Sequence, residues 1–257
     1  MLIARSLLFN ALFYLITIFL MIAGLPTLLL GRRSILALAR LWGAISLWML
    51  DLICRLRVDF RGLDNIPSGG ALVAVKHQSF LETFALLKCT PDFAIVLKRE
   101  LTFVPLFGLY LVVSKQIAID RQQGVKALRR AVSATKPVLA AGRKVIIYPE
   151  GTRRSPGAPP DYKSGVAALY TEGKAPCLPV AVNTGLFWRR RSLIRRPGTA
   201  VIEFLRPIQP GLGRAAFMRR LEDAIESACA ILNAEALARD SALAAIVATG
   251  RKGLPGE

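Results

Sequence analysis

The stretch ALVAVKHQSFLE, Ala71 to Glu82, decides the fold. It opens with a continuous apolar run, which is typical of a strand that is covered on both faces of a sheet. The run ends at Lys76, and Ser79, three residues later, is a favoured helix N-cap. The stretch therefore predicts a strand, a short loop and a helix. His77 then lies in the loop at the carboxyl edge of the strand, where α/β proteins bind their ligands.

Short β-rich runs alternate with helical runs over most of the chain beyond residue 70. Such alternation favours an α/β fold with a mostly parallel central sheet flanked by helices. The predicted strands are Ala71–Lys76, Phe93–Leu97, Gln116–Asp120, Lys144–Tyr148, Leu178–Val182 and Ala200–Leu205. The predicted helices are Phe80–Lys88, Gly124–Ala140 and Lys163–Gly173, with one or two more over Arg214–Ala248.

His77 is the only histidine in the chain. An imidazole at this position can act as a general base near neutral pH, provided that a carboxylate orients it. Glu82 could supply that carboxylate. On a continuous helix the two side chains would point about 140° apart, so they meet only if His77 precedes the helix. The alternative is purely structural, because Ser79-x-x-Glu82 also fits a capping box.

Two further stretches place cations and a tight turn at the ends of predicted strands. YPEGTRRSPG, Tyr148 to Gly157, offers backbone amides and guanidinium groups that could hold a phosphate. The polar residues between Leu97 and Arg121 could converge on an anion, although solvated strand ends would look the same. The residues concerned are Gly151, Thr152, Arg153 and Arg154 in the first stretch, and Lys98, Arg99 and Arg121 in the second.

The N-terminal part of the chain is strongly apolar. Ser6–Leu30 carries no charge over about 25 residues, and about 20 suffice to span a bilayer. A signal peptide would have a shorter apolar region followed by small residues, whereas this run ends in GRR, so we expect it to be retained. Ser34–Cys54 is a poorer spanning helix because it contains Arg40 and Asp51. We predict a membrane-embedded helical hairpin, the alternative being two core helices of a soluble domain.

The net charge is +18, which implies an anionic partner such as a nucleic acid or a membrane surface. The apolar N-terminus and the lack of a recognisable nucleic-acid module favour an anionic membrane surface and no nucleic acid. The run Phe187–Arg196 sets five arginines beside two aromatic residues, which suits either a headgroup layer or a solvated loop. The four cysteines are scattered, and with one histidine they predict no metal site.

Four blocks in this order resemble the glycerolipid acyltransferase family, specifically its bacterial 1-acylglycerol-3-phosphate acyltransferases. KHQSFLE resembles the family's His-x4-Asp block, with Glu82 in place of the aspartate. LKRELTFVPLFG followed by IAIDR resembles the second block, with Lys115 where the family often has a glycine. Pro149–Arg153 matches the Pro-Glu-Gly-Thr-Arg block in full, and LPVAV around Pro179 resembles the fourth.

The resemblance implies transfer of an acyl group from a thioester to the free sn-2 hydroxyl of 1-acylglycerol-3-phosphate, giving phosphatidic acid. The donor would be acyl-CoA or acyl carrier protein, with no cofactor and no metal. His77 would be the general base and Glu82 would orient it, without an acyl-enzyme, since no Gly-x-Ser-x-Gly elbow occurs. The residues implied in binding the acceptor phosphate or shaping its pocket are Lys98, Arg99, Arg121, Glu150, Gly151, Thr152 and Arg153.

Two alternatives remain open at this point. One keeps the chemistry but uses lyso-ornithine lipid or another lysolipid as acceptor, and the other is a non-enzymatic basic membrane-binding protein. We expect a membrane hairpin at 1–57, a catalytic domain at 58–213 and a helical extension at 214–257. Arg32, Arg33 and Arg40 follow the first apolar helix, so the positive-inside rule predicts a catalytic domain on the cytoplasmic face of the inner membrane.

Overall fold

The computed structural model describes residues 1–251, and a central sheet organises them. In this part of the chain the strands are ordered β1-β7-β6-β2-β5-β3-β4. Every neighbouring pair is parallel except β6 and β7, which are antiparallel. The strands are β1 Leu56–Arg61, β2 Ala71–Val75, β3 Phe93–Lys98, β4 Ile117–Ile119, β5 Lys144–Ile147, β6 Cys177–Val182 and β7 Gly198–Phe204. The predicted α/β fold with a mostly parallel sheet is thus confirmed.

Helices flank the sheet and precede it. They are α1 Leu2–Ala23, α2 Pro26–Leu30, α3 Arg32–Cys54, α4 Leu81–Ala85, α5 Phe107–Val113, α6 Val125–Ala140, α7 Gly165–Gly173, α8 Arg214–Arg239 and α9 Ala244–Arg251. All six predicted strands are present, whereas β1 and α5 were not predicted. The predicted helix Phe80–Lys88 is shorter, because α4 passes into a 3₁₀ turn at Leu86. Beyond Arg251, the predicted C-terminal extension lies outside the described residues.

The two faces of the sheet carry different layers. Val73 and Val75 point to the core shared with α1, α3 and α4. Leu72 and Ala74 point to the opposite core, which α6, α7 and α8 complete. Because side chains alternate along a strand, Lys76 at the end of β2 continues on the side of α8.

The N-terminal helices α1 and α3 form a hairpin against the first face. Trp42 Nε1 donates a hydrogen bond to Thr17 Oγ1 at 2.9 Å, and Phe9 and Phe13 are buried in the adjoining core. By length and composition, both helices are apolar enough to cross a membrane. The outer face of α1 is apolar and exposed, as at Ile18 and Phe19, which supports membrane association. The predicted domain bounds stay a prediction.

The basic run after β6 does not form a solvated loop throughout. Phe187 and Trp188 are buried, and the guanidinium of Arg195 lies 3.6 Å from the ring centroid of Trp188. Arg195 also donates to Asn10 Oδ1 on α1 at 2.7 Å. Burial lowers the pKa of Arg195 to about 10. This part of the run therefore attaches the hairpin to the sheet domain.

Candidate active site

The loop between β2 and α4 brings His77 and Glu82 together. Nδ1 of His77 lies 2.8 Å from Oε1 of Glu82. Because a carboxylate only accepts hydrogen bonds, Nδ1 carries the proton, and Nε2 is the nitrogen left for proton transfer. The same Oε1 accepts the backbone N–H of Gln78 at 2.8 Å and of Ser79 at 2.7 Å. Glu82 thus makes the backbone bond expected of a capping box and also holds the imidazole.

The second carboxylate oxygen of Glu82 is held by Thr184. Thr184 Oγ1 donates to Oε2 at 2.7 Å, and the Glu82 side chain has no solvent exposure. A buried carboxylate is costly unless donors surround it, and here two amides, a hydroxyl and an imidazole do so. Sequence reasoning missed Thr184, which follows the fourth block by two residues and lies 102 positions from Glu82.

The ring of Tyr148 stacks on one face of the His77 imidazole. Their ring centroids are 3.9 Å apart with an interplanar angle of 24°. Tyr148 Oη donates to Thr83 Oγ1 at 3.3 Å, and burial raises the pKa of Tyr148, so its hydroxyl stays protonated. Tyr148 directly precedes the Pro-Glu-Gly-Thr-Arg block. The imidazole is therefore fixed through one edge by Glu82 and through one face by Tyr148.

The turn after β5 lies against the His77 loop. The backbone N–H of Arg154 donates to the carbonyl of His77 at 2.8 Å. Gly151 has φ +69°, and its carbonyl accepts a hydrogen bond from Arg121. A Cβ on Gly151 would come within 2.9 Å of Arg121 Nη1, so glycine meets both the backbone conformation and the close approach. The turn after β5 therefore contacts both the His77 loop and Arg121.

Of the predicted cations, Arg153 lies in the turn after β5 and Arg121 binds the carbonyl of Gly151 in the same turn. Burial lowers the pKa of Arg153, Arg190 lowers it further, and the carboxylate of Glu82 opposes both effects. Burial also lowers the pKa of Arg121. Arg153 is half-buried and Arg121 is exposed, and two guanidiniums at this turn favour an anionic ligand there.

Lys98 and Arg99 are placed differently. Both are exposed at the end of β3, and Arg99 pairs with Asp120 at 3.5 Å. No described contact links either residue to the loop around His77. The remaining predicted residue of the turn, Thr152, is half-buried beside Gly151.

Glu150 takes part in a buried ionic network on the α8 side of β2. Lys76 Nζ donates to Glu150 Oε1 at 2.9 Å and to Glu226 Oε1 at 2.7 Å. Tyr162 Oη also donates to Glu226, at 2.8 Å. Burial lowers the pKa of Lys76, but attraction to the two carboxylates outweighs it, so the net pKa is raised and the lysine is charged. This network joins the residue before His77 to the turn before Gly151.

The arrangement can deprotonate a hydroxyl group next to an anion. The imidazole is oriented by a buried carboxylate, and the charge of the Arg153 guanidinium interacts with that carboxylate. Among residues 1–251 no group of three or more histidine, cysteine, aspartate or glutamate side chains could hold a metal ion.

Comparisons with known proteins identify similar chains. The chain is 38% identical over 158 residues to a 1-acyl-sn-glycerol-3-phosphate acyltransferase of Pseudomonas aeruginosa, covering 62% of each protein. It is 28% identical over 141 residues to the protein of that name from Cocos nucifera, covering 54% of this chain and 46% of that one. The matches thus span about six-tenths or less of these curated relatives.

Similarity to a solved structure extends further along the chain. The crystal structure of the 1-acyl-sn-glycerophosphate (LPA) acyltransferase from Thermotoga maritima matches with a TM-score of 0.76. It covers 90% of this chain and 98% of the other at 22% identity, which shows a shared fold. The acyltransferase family model matches residues 57–183. The family expected from the four sequence blocks is thus confirmed, and residues 57–183 form a domain of the acyltransferase family.

Proposed function

We propose that the protein transfers a fatty acyl group from a thioester donor to the sn-2 hydroxyl of 1-acylglycerol-3-phosphate, giving phosphatidic acid. The observation that carries the proposal is the contact between His77 and Glu82. That contact lies inside the segment that matches the acyltransferase family model, and the charge of Arg153 interacts with Glu82. The names of the matched relatives support this acceptor, because the P. aeruginosa and C. nucifera proteins are both named 1-acyl-sn-glycerol-3-phosphate acyltransferase.

In the proposed mechanism, Nε2 of His77 removes the proton of the acceptor hydroxyl as its oxygen attacks the thioester carbonyl carbon. The tetrahedral intermediate collapses, the carbon–sulfur bond breaks, and the imidazolium returns the proton to the leaving thiolate. Glu82 keeps the proton on Nδ1 and stabilises the imidazolium charge. Transfer is direct, and no residue of the chain is acylated.

The anionic group of the acceptor would be held by cations around the turn after β5. Arg153 and Arg121 are the principal candidates, with backbone groups of Gly151 and Thr152 lining the same place. Lys98 and Arg99 would contribute only if the ligand extends to the end of β3. Glu150 acts indirectly, because its carboxylate binds Lys76. The donor is acyl-CoA or acyl carrier protein, and the proposal needs no cofactor.

The site of action would be the cytoplasmic membrane. The two apolar N-terminal helices support membrane association. Arg32, Arg33 and Arg40 follow α1, and this bias would keep the catalytic domain on the cytoplasmic face. Acyl thioesters are made in that compartment, which agrees with the proposed donor.

The experiment is thiol release by the detergent-solubilised protein given acyl-CoA, with and without 1-oleoylglycerol-3-phosphate. His77→Ala is expected to lose at least about 100-fold in turnover, as is usual when a general base is removed. Lys136→Ala, an exposed cation on α6, serves as the matched control and should retain full activity. Unchanged turnover in His77→Ala would refute the mechanism.

A panel of acceptors separates the proposal from its alternatives. Release with lyso-ornithine lipid but not with 1-oleoylglycerol-3-phosphate would keep the chemistry and change the acceptor. A folded protein that binds vesicles but releases no thiol with any acceptor would favour the non-enzymatic alternative.

A further inference from the structure

The segment between β3 and β4 carries an apolar surface that the protein leaves uncovered. Residues 101–113, LTFVPLFGLYLVV, contain no charged side chain. We refer to them as the 101–113 segment. Phe103 is 68% exposed and Val112 is 62% exposed. The other exposed apolar side chains of the segment are Leu101, Val104, Phe107 and Leu109.

The helix within this segment is apolar on every side. A helix of that kind is normally buried in a core or in a membrane, whereas α5 buries only one side here. Contiguous exposed apolar patches mark sites of interaction with a protein or a membrane. The exposed surface of α5 therefore indicates a site of contact with a protein or a membrane.

The segment is held firmly in this exposed position. Tyr110 is buried, and its Oη donates to the carbonyl of Met21 on α1 at 2.6 Å. Gly108 packs so closely on the preceding turn that a Cβ there would overlap the carbonyl oxygen of Thr102. The exposed side chains are thus presented by a fixed element.

The apolar surface of the segment continues into that of the hairpin. The bond between Tyr110 and Met21 joins α5 to the end of α1, next to α2. At that end of the hairpin Leu29 and Leu30 are exposed, and α5 packs beside α2 and α3. A lipid surface that covers this end of the hairpin therefore also covers the 101–113 segment.

The charges around the segment point to the chemistry of the occupant. Lys98, Arg99 and Lys115 are exposed at its two ends, and Glu100 is the acidic residue between them. Cations at the border of an apolar patch complement anionic lipid headgroups. A second copy of the chain fits less well, because each copy carries a net charge of +18 and would repel the other.

We propose that the 101–113 segment is a second lipid-contacting element, seated in the same lipid monolayer as the hairpin. Phe103, Leu109 and Val112 enter the acyl boundary, and Lys98 and Lys115 lie at headgroup level. Two contacts, one from the hairpin and one from the segment, fix the rotation of the sheet domain relative to the bilayer. The inference concerns the surface alone and does not depend on the reaction that the site performs.

The test measures whether single positions meet lipid in the full-length protein. Phe103→Cys and Val112→Cys are labelled with an environment-sensitive fluorophore in a Cys89→Ala background, because the other native cysteines are buried. Ile18→Cys on α1 reports on the hairpin, and Ile231→Cys, an equally exposed apolar position on α8, is the matched control. The probe is a vesicle of phosphatidylethanolamine and phosphatidylglycerol containing lipids with a nitroxide near the headgroup end of the acyl chain.

When vesicles are added, the emission of the labels at positions 103 and 112 is expected to shift to shorter wavelength and to be quenched by the nitroxide. The label at position 18 is expected to respond in the same way. The label at position 231 should do neither. If both segment labels behave like position 231 while position 18 is quenched, the proposal is wrong. A shift that follows protein concentration and not lipid would assign the surface to a second copy and would also overturn it.

Discussion

Replacing Lys76 with methionine should destabilise the protein strongly. The side chain is 3% exposed and holds Glu150, which is fully buried, at 2.9 Å and Glu226 at 2.7 Å. Methionine keeps the length of the stem but leaves the Glu150 carboxylate buried without its cation. Breaking a buried pair in this way costs about 3–5 kcal/mol. Since each kcal/mol lowers the melting temperature of a domain of this size by about 2–4 °C, the expected decrease is on the order of 6–20 °C.

A double-mutant cycle tests whether the unpaired Glu150 carboxylate causes the loss of stability in Lys76→Met. Lys76→Met/Glu150→Met replaces the pair with apolar side chains of similar volume, which is often nearly neutral, so it should recover most of the loss. Glu226→Gln should cost only about 1 kcal/mol, because Glu226 is partly exposed and the pair between Lys76 and Glu150 remains.

The assay is thermal unfolding in detergent micelles, followed by intrinsic fluorescence. The raised pKa of Lys76 means that its contribution is present below about pH 10.5 and is lost as the pH rises through the folded-state value. Burial raises the pKa of Glu150, and loss of the Lys76 cation removes the main effect that lowers it, so the carboxyl in Lys76→Met binds a proton more readily as the pH falls. The difference in melting temperature between the wild type and Lys76→Met should therefore increase as the pH is raised from about 6 to 9. A double variant no more stable than Lys76→Met would show that the unpaired Glu150 is not the source of the loss.

Three further outcomes are expected. Thr184→Val removes one donor from the Glu82 carboxylate and should lower kcat about tenfold, with recovery in Thr184→Ser; equal activity of the two variants would contradict a role for this hydrogen bond. Gly151→Ala should raise the KM for the lysolipid acceptor several-fold and leave that for the thioester unchanged, because the added Cβ meets Arg121; a change in the thioester KM alone would refute this placement. Burial raises the pKa of the Cys89 thiol to about 11, so only about 0.1% is thiolate at pH 8, and alkylation of the native protein should accelerate about tenfold per pH unit; fast modification at pH 8 would contradict the burial.

Much of the site could be predicted because the decisive residues are close in sequence. His77 and Glu82 are five positions apart across a strand–loop–helix junction, so the local pattern suffices to bring them within 2.8 Å. The turn at Gly151 is likewise a local feature that follows a recognisable strand. β1 was missed although its sequence, LRVDFR, alternates apolar and charged residues as a half-buried strand does. α5 was missed because its apolar run has no helical periodicity.

Lys115 shows where a departure from the family pattern has a structural consequence. It stands where the family often has a glycine, and its φ is +57°. The left-handed conformation is therefore kept without glycine, at some cost in backbone strain.

The alternation of apolar runs along the sequence by itself predicted the α/β class, and the resemblance of four ordered blocks predicted the family. The short spacing of His77 and Glu82 allowed the imidazole to pair with a carboxylate, because residues five positions apart can meet across a loop. Only the tertiary structure decided which distant groups complete the site. Thr184 reaches Glu82 across 102 positions, and Glu226 reaches Lys76 across 150. Such contacts follow from the order of the strands and the packing of α8 on the sheet. Local sequence patterns carry no record of which remote segment will lie beside a given strand, so these partners became visible only in the folded protein.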